Sequence, residues 1–221
     1  MLHHVIITAG GSGTRLQSEL PKQFLLLNGL PVLMHTMKKF SGISGKIILA
    51  LPSVHIPTWE KLCLVYEFEI EHTVCHGGAT RFHSVKNALA EIPDEDALVA
   101  VHDGVRPAVS EELIEKIFLA ANQNGNAVPF LPLNESIRRT DEGGNNYYAG
   151  RKNFISIQTP QCFSIQSLRK AYAQPFSESF TDDAAAVEAA TGEKIFLVEG
   201  ERRNIKITTI EDLIVAERLM I

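Results

Sequence analysis

The sequence contains 221 residues, of which 45% are hydrophobic and 21% charged, and no low-complexity stretch divides it, so we expect one globular domain over residues 1–221. Lysine and arginine number 21 against 26 aspartates and glutamates, and the net charge of −5 argues against a nucleic-acid partner. No apolar run reaches the roughly 18 residues of a membrane span, and the N-terminal residues lack the pattern of a signal peptide, which together predict a cytoplasmic protein with no membrane partner.

Short β-branched runs alternate with segments of helical spacing in the first half of the chain. Residues 3–8, 46–51, 70–74 and 97–101 are typical of buried strands, and residues 32–40, 82–92 and 113–121 repeat apolar side chains with a helical period. This alternation predicts an α/β fold, with a Rossmann-like, mostly parallel sheet and helices on both faces.

The pattern changes after a predicted strand at residues 127–131. Residues 134–153 are polar and contain Gly143-Gly144 followed by Asn145-Asn146, which indicates a hairpin. Because a long structureless loop is uncommon in a compact domain, we expect an ordered, protruding β-arm at about 134–154. The chain then continues with a predicted strand at 155–158, a helix after Ser164, a helix at 182–190, strands at 195–198 and 205–208, and a closing helix at 210–220.

The cysteines and histidines do not form a metal-binding pattern. Cys63, Cys75 and Cys162 are widely spaced, odd in number and outside any CxxC motif, which favours reduced thiols over a disulfide framework or structural zinc. The histidines show no recognisable ligand set, so we predict no metal-ligating residue in the chain.

A glycine-rich loop follows the first predicted strand, with the sequence AGGSGTRL over residues 9–16 and PKQF over residues 21–24. Glycines at the carboxyl end of a strand let backbone N–H groups approach a polyphosphate. The loop matches neither the Rossmann nor the Walker A pattern, because Leu16 stands where the third Rossmann glycine belongs and no Gly-Lys-Ser/Thr ending is present. Arg15 and Lys22 flank it, and such cations can neutralise a triphosphate; a tight turn with two solvated cations is the alternative.

The segment HDGVRP over residues 102–107 follows another strong strand and should lie at the same sheet edge. Asp103 and Arg106 can both face a ligand there, or they can form an ion pair that organises the turn. His102, a lone histidine beside a strand end, is more typical of a structural residue.

Six motifs occur in the order found in one enzyme family: residues 9–22, GGATRFHSV at 77–85, VHDGVRP at 101–107, QTPQ at 158–161, TDD at 181–183 and NIKIT at 204–208. Over nearly its whole length the chain resembles the 2-C-methyl-D-erythritol 4-phosphate cytidylyltransferase family. The resemblance implies the nucleotide-diphospho-sugar transferase type of fold. It also implies that CTP and methylerythritol phosphate are joined in isoprenoid precursor synthesis, with release of pyrophosphate.

The resemblance also implies roles for particular residues. Arg15 and Lys22 would stabilise the transition state, while Arg151 and Lys206 would position the substrate phosphate. The CTP site would comprise Ala9, Gly10, Gly11, Gly13, Gly78, Ser84 and Asp103. The polyol-phosphate site would comprise Asp103, Arg106, Ser136, Arg151, Thr159, Thr181 and Lys206. The arm would cross to a second subunit and form a homodimer, and Mg²⁺ would be held mainly through the phosphates of CTP.

Several alternatives remain open at the level of sequence. Gly77-Gly78 is also typical of a turn, and Ser84 can be an ordinary residue of a helix. Thr181-Asp182-Asp183 is also typical of the N-cap of a helix. Ala79 and Gly150 replace acidic residues common in the family, which weakens the exact substrate assignment. A ribitol 5-phosphate cytidylyltransferase is the nearest alternative. A nucleotide-sugar glycosyltransferase is less favoured because the Asp-x-Asp motif of that class is absent. A non-catalytic nucleotide-binding regulator is also less favoured, because the chain retains all four cations, Arg15, Lys22, Arg151 and Lys206.

Overall fold

The computed structural model describes residues 1–10, 20–43, 45–93 and 96–220. Its strands are β1 (Leu2–Thr8), β2 (Leu26–Leu27), β3 (Leu30–Pro31), β4 (Ile47–Leu51), β5 (Thr73–His76), β6 (Ala97–Asp103), β7 (Asn126–Pro132), β8 (Ile137–Thr140), β9 (Asn146–Ala149), β10 (Ile155–Ile157), β11 (Gln161–Ser164) and β12 (Leu197–Glu199). Its helices are α1 (Val32–Lys38), α2 (Ile56–Val65), α3 (Arg81–Leu89), α4 (Glu111–Asn124), α5 (Ile165–Ala173), α6 (Asp183–Thr191) and α7 (Ile210–Leu219).

Eight of these strands form a central sheet in the order β10-β7-β11-β6-β1-β4-β5, with β12 paired to β7 outside that path. The pairs β6–β1, β1–β4 and β4–β5 are parallel, as is β12–β7. Strand β11 runs antiparallel between β6 and β7, and β10 runs antiparallel along β7. The sheet is therefore mixed and mostly parallel, which confirms the predicted fold class.

The parallel strands are buried on both faces, which explains their nearly continuous apolar sequences. In β1, Val5 and Ile7 belong to the apolar cluster that includes side chains of α1, α2 and α4. Ile6, between them, belongs to the opposite cluster with side chains of α3, α5 and α6. Because neighbouring residues of a strand point to opposite faces, this division confirms that helices cover both sides of the sheet.

Residues 134–154, which we call the arm, contain the separate antiparallel hairpin β8–β9. Its turn is held by Asp141, whose carboxylate accepts hydrogen bonds from the backbone N–H of Asn145 (2.9 Å) and the hydroxyl of Tyr147 (2.9 Å). Gly144 has a φ of +78°, a conformation that favours glycine. The Gly-Gly-Asn-Asn sequence thus forms the turn of a hairpin.

Some predicted elements differ from the structure. Strand β5 begins at Thr73, three residues after the predicted start, and β12 is shifted towards the C-terminus from the predicted 195–198. The predicted strand at 205–208 was wrong, because these residues form no ladder and Ile207 donates a backbone hydrogen bond to the carbonyl of Val105 (2.9 Å). Helix α2 and strand β11 were not predicted.

Two smaller expectations concern thiols and membranes. Cys63, Cys75 and Cys162 are free thiols, as predicted. Burial raises the pKa of both Cys63 and Cys75 to about 11, so neither is an activated thiolate at neutral pH. Across the described ranges, none of the helices has the length and apolar character needed to cross a membrane.

Candidate active site

A cavity of about 360 Å³ opens at the carboxyl ends of β1 and β6. These strands are parallel neighbours, and Thr8 at the end of β1 pairs in register with Asp103 at the end of β6. In an open α/β sheet, ligands bind outside this edge. The cavity brings together seven residues predicted from the sequence, namely Ala9, Gly10, Lys22, Gly78, Ser84, Asp103 and Lys206.

Asp103 is the carboxylate of this cavity and is surrounded by cations. Its Oδ2 lies 3.0 Å from Nζ of Lys206 and 3.2 Å from Nε of Arg106, and its Oδ1 lies 3.6 Å from Nε of Arg81. Burial alone raises the pKa of the Asp103 carboxyl, but the three cations hold it well below its usual range. The group is therefore ionised throughout the physiological pH range and orders the cations at the cavity wall.

A buried hydrogen-bond chain supports Asp103 from behind. The backbone N–H of Asp103 donates to Oγ1 of Thr159 (3.1 Å), and that hydroxyl lies 3.1 Å from Nδ1 of His102. Burial, the largest effect, lowers the pKa of His102 to about 4, so the imidazole is neutral. Its Nε2–H then donates to the carbonyl of Arg106 (3.2 Å), while Nδ1 accepts from Thr159. Thr159 thus lies beneath Asp103 rather than on the cavity lining, and His102 is structural, as expected.

Arg106 is also buried behind the cavity. Besides its contact with Asp103, its Nη1 donates to the carbonyl of Asn204 at 2.8 Å. This bond connects the end of β6 with the segment that carries Lys206. The ion pair Asp103–Arg106 that the sequence left open as an alternative is present, and it contributes to the placement of Lys206 across the cavity wall.

Gly78 and Ser84 form the side of the cavity at the start of α3. The backbone N–H of Gly78 donates to Oγ of Ser84 (3.0 Å), which in turn donates to the carbonyl of Thr80 (3.0 Å). A Cβ atom at Gly78 would lie 2.3 Å from Cβ and 2.8 Å from the carbonyl carbon of His83. Because backbone cannot yield to such a contact, the close approach requires glycine here. A Cβ at Gly10 would lie 3.9 Å from Oγ of Ser84, so the end of β1 faces the same wall.

Arg81 also lines the cavity, although no role for it was predicted from the sequence. Its Nη1 and Nη2 donate to the two carboxylate oxygens of Asp183 at 2.9 and 2.6 Å. Burial opposes the charge on the guanidinium, but Asp183 holds the pKa of Arg81 above its usual range. A basic residue in the first turn of a helix is unfavourable towards the helix dipole, and this was a signal that Arg81 has a specific partner.

Gln23 is a second lining residue for which the sequence predicted no role. It follows Lys22 in a one-turn 3-10 helix over Lys22–Phe24, and its buried side chain donates to the carbonyl of Ala9 at 2.9 Å. This bond fixes the Lys22 segment beside the end of β1. Lys22 is thereby held on the cavity lining next to the end of β1.

The remaining predicted residues do not line this cavity. Ser136 and Arg151 lie on the exposed arm, where Arg151 donates to the carbonyl of Asn134. Thr181 is exposed and its backbone N–H donates to the carbonyl of Ser179 (3.0 Å). Gly11, Gly13 and Arg15 lie outside the described residues.

Comparison with known proteins gives one consistent result. The family model described as 2-C-methyl-D-erythritol 4-phosphate cytidylyltransferase (IspD) matches residues 3–221. The protein of that name from Porphyromonas gingivalis is 46% identical over 217 residues, which cover 98% of this chain and 97% of the relative. Two solved structures of that name are each 32% identical to this chain and cover 99% of it. The Francisella tularensis structure has a TM-score of 0.82 and is covered to 100%, and the Thermus thermophilus structure has a TM-score of 0.80 and is covered to 98%. This chain therefore belongs to the 2-C-methyl-D-erythritol 4-phosphate cytidylyltransferase family.

Proposed function

We propose that this cavity is the site where the chain transfers the cytidylyl group of CTP to 2-C-methyl-D-erythritol 4-phosphate. The products are 4-diphosphocytidyl-2-C-methyl-D-erythritol and pyrophosphate, and the reaction serves isoprenoid precursor synthesis. The observation that carries the proposal is that Lys22, Arg81 and Lys206 line one cavity with Asp103 at the carboxyl edge of the sheet. A site that must hold two polyanions together needs cations in this arrangement.

The chemistry requires positioning more than proton transfer. A phosphomonoester has a second pKa of about 6, so its oxygen is already largely deprotonated at neutral pH and needs no general base. That oxygen attacks the α-phosphorus of CTP in line, the new phosphorus–oxygen bond forms, and the bond to pyrophosphate breaks. The neutral, buried His102 fits this scheme because it is engaged with Arg106 and Thr159 and does not line the cavity.

Lys22 and Lys206 have separate roles in the proposal. Lys22, with Arg15 from the glycine-rich loop, stabilises the charge that develops on the phosphates as the bond to pyrophosphate breaks. Lys206 positions the attacking phosphate from the cavity lining, where Asp103 holds its ammonium group at 3.0 Å. Arg106 and Thr159 contribute by fixing Asp103 from behind.

The backbone of Ala9, Gly10 and Gly78, together with Ser84, supplies the nucleotide side of the cavity. Gly78 packs closely against α3 and its backbone N–H is bonded to Oγ of Ser84, so this side of the cavity is a narrow wall of backbone held by that side chain. Such a wall can recognise the edge of a cytosine, because that edge presents both a donor and acceptors. Gly11 and Gly13 complete the phosphate loop in this proposal.

Mg²⁺ is proposed as the cofactor, bound through the phosphates of CTP. Over the described part of the chain, no three His, Cys, Asp or Glu side chains come together as a metal site. Both oxygens of Asp103 face cations, so this carboxylate does not present itself as a ligand. The described residues thus offer no ligand set, so the phosphates of CTP would hold the ion, which would neutralise part of their charge.

The arm is proposed to complete the site of a second subunit in a cytoplasmic homodimer. Tyr148 on the arm is 84% exposed and Phe154 is 49% exposed, so the segment presents aromatic surface without cover from its own chain. Arg151 and Ser136 would reach the neighbouring polyol phosphate from this surface, and Thr181 would contact the same substrate from its own subunit. Exposed aromatic side chains of this kind are typical of interfaces.

The shared site can be tested by mixing two inactive variants, Lys22→Ala and Arg151→Ala. If each active site takes Lys22 from one subunit and Arg151 from the other, hybrid dimers contain one site with both residues intact. Partial recovery of pyrophosphate release supports the arrangement. No recovery despite demonstrated subunit exchange contradicts it.

The substrate assignment is tested with purified protein, Mg²⁺ and CTP, comparing methylerythritol 4-phosphate with ribitol 5-phosphate. We expect pyrophosphate release with the first and much less with the second, and mass spectrometry should show one cytidylyl group joined to the polyol phosphate. Replacement of CTP by UTP is the matched nucleotide control. Preference for ribitol 5-phosphate would contradict the assignment.

A further inference from the structure

Asp183, the first residue of α6, is a fully buried carboxylate that faces the rear of the cavity. Both of its oxygens accept hydrogen bonds from the guanidinium of Arg81, at 2.9 and 2.6 Å. The hydroxyl of Tyr172 donates a further hydrogen bond to it. Burial, followed by the negative charge of Asp183, raises the pKa of Tyr172 well above its usual range, so this hydroxyl remains a donor. A buried carboxylate has no contact with water, so it needs hydrogen-bond donors such as these from the protein.

Arg81 stands between two carboxylates and is closer to one of them. Its Nη atoms contact Asp183 at hydrogen-bond distance, whereas its Nε lies 3.6 Å from Oδ1 of Asp103, beyond a normal hydrogen bond. The planar guanidinium cannot improve one contact without turning relative to the other. Asp183 therefore determines how far Arg81 stands from Asp103.

The distance between Arg81 and Asp103 matters because Asp103 also holds Lys206. Oδ2 of Asp103 lies 3.0 Å from Nζ of Lys206, whose side chain is 43% exposed and lines the cavity. If the charge of Asp183 were lost, Asp103 would be the remaining carboxylate within 4 Å of Arg81 among the described residues. A short movement would then bring Arg81 into direct competition with Lys206 for the same anion.

We propose that Asp183 is a positioning residue: by binding the outer edge of the Arg81 guanidinium it holds Arg81 away from Asp103, which leaves Asp103 to fix the Lys206 ammonium at the cavity. This inference rests on the proposed function, since it takes Lys206 as the cation that positions the attacking phosphate. It assigns to the start of α6 a role in catalysis through two intermediate side chains.

Capping of α6 does not account for Asp183. The cap is supplied by the preceding residue, Asp182, whose carboxylate accepts the backbone N–H of Ala185 at 2.9 Å. Asp182 also accepts a hydrogen bond from Gln161 at 3.0 Å, which ties the same helix end to β11. The carboxylate of Asp183 points instead to Arg81, a residue of the cavity lining.

The test is a double-mutant cycle between Asp183→Asn and Lys206→Ala, measured as kcat/KM for pyrophosphate release from CTP with methylerythritol 4-phosphate. We expect Asp183→Asn to lower kcat/KM by about tenfold, the usual effect of losing a hydrogen bond to a charged group. Because both changes act on Lys206, the double variant should be about as active as Lys206→Ala alone. If the two losses multiply, Asp183 has only a structural role and the inference is overturned.

The matched control is Glu193→Gln, combined with Lys206→Ala in the same way. Glu193 is a half-buried carboxylate just beyond the other end of α6, where it accepts a hydrogen bond from Oγ of Ser167 at 2.6 Å. Its small effect, if any, should multiply with that of Lys206→Ala. A coupling to Lys206 as strong as that of Asp183 would show that the cycle reports general loosening, and this would overturn the inference.

A second variant covers the case in which Asp183→Asn does not fold. Tyr172→Phe leaves both charges in place and removes only the third hydrogen bond to Asp183, so we expect a smaller loss that is again masked by Lys206→Ala. Multiplicative losses would overturn the inference here too. The activity of the wild-type protein distinguishes the proposed function from the role of Asp183. If the wild type releases no pyrophosphate, the proposed function is refuted. If the wild type is active and the losses multiply in both cycles, the role of Asp183 is refuted.

Discussion

Replacement of Asp103 by asparagine is the perturbation that the site geometry defines most sharply. Asparagine keeps the size of the side chain but removes the charge shared by Arg81, Arg106 and Lys206. We expect the variant to lose both stability and activity, because its cations lose their common anion and Lys206 loses its anchor at the cavity. The stability loss can be worked out from the burial of each partner.

Arg106 is the partner that determines the magnitude. It is 9% exposed and Asp103 is 6% exposed, and breaking a buried pair by removing one member costs about 3–5 kcal/mol. Lys206 is 43% exposed, so solvent screening limits its contribution to less than about 1 kcal/mol. Arg81 adds little to the loss, because it stands 3.6 Å from Asp103 and keeps Asp183 as its hydrogen-bonded partner. For a chain of this length the loss corresponds to a fall in Tm of roughly 6–20 °C.

The loss of stability in Asp103→Asn should depend on pH in a characteristic way. The folded-state pKa of Asp103 is depressed, so its stabilising effect is complete above the ordinary aspartate pKa of about 4 and is lost as pH falls below it. The difference in the free energy of unfolding between wild type and Asp103→Asn should therefore be constant from pH 7 to about 4 and narrow below that. Urea denaturation at a series of pH values measures it.

The control for this experiment is Glu178→Gln, which removes an exposed carboxylate. It should show no comparable loss at pH 7. If Asp103→Asn lowers the free energy of unfolding at pH 7 by no more than the control does, the electrostatic account is refuted. It is also refuted if the difference in the free energy of unfolding between wild type and Asp103→Asn stays constant down to pH 3.

Three further predictions concern other parts of the molecule. Gly78→Ala should raise KM for CTP and lower Tm, because its Cβ would lie 2.3 Å from Cβ of His83; unchanged kinetics would contradict the narrow wall. Tyr148→Asp should shift the protein towards monomer in sedimentation velocity, and an unchanged dimer would exclude this part of the arm from the interface. His102→Gln should reduce the loss of stability between pH 6.5 and about 4, where only the unfolded histidine binds a proton; unchanged pH dependence of urea unfolding would contradict the low pKa.

The central strands could be predicted from sequence because they are buried on both faces. Such burial demands runs of apolar side chains, which are present at residues 5–7 of β1, throughout β4 and at residues 97–101 of β6. Strand β11 could not be predicted, since its QCFS sequence has no β-branched residue and its place between β6 and β7 depends on tertiary pairing. Residues 205–208 show the opposite error, because they alternate like a strand yet lie beside the turn at Val105 without forming a ladder.

Some residues of the site could likewise be predicted from the sequence, and others could not. The motifs and the resemblance gave Lys22, Asp103 and Lys206, which the structure brings to one cavity. The pairing of Arg81 with Asp183 spans 102 positions of sequence and joins two helices that no local pattern relates. Nothing short of the packed fold could show that the cavity arginine is held by a carboxylate behind it.

The most direct test of the account is the rate of pyrophosphate release by wild type and by Lys22→Ala, with CTP and methylerythritol 4-phosphate supplied together and singly. The account predicts release by wild type only when both substrates are present. It also predicts a fall of about 10²-fold or more in kcat for Lys22→Ala without a change in Tm, since a preorganised cation that stabilises transition-state charge is lost. Absence of release by wild type, or near-normal kcat in the variant, would contradict the assignment of this cavity as the cytidylyltransferase site.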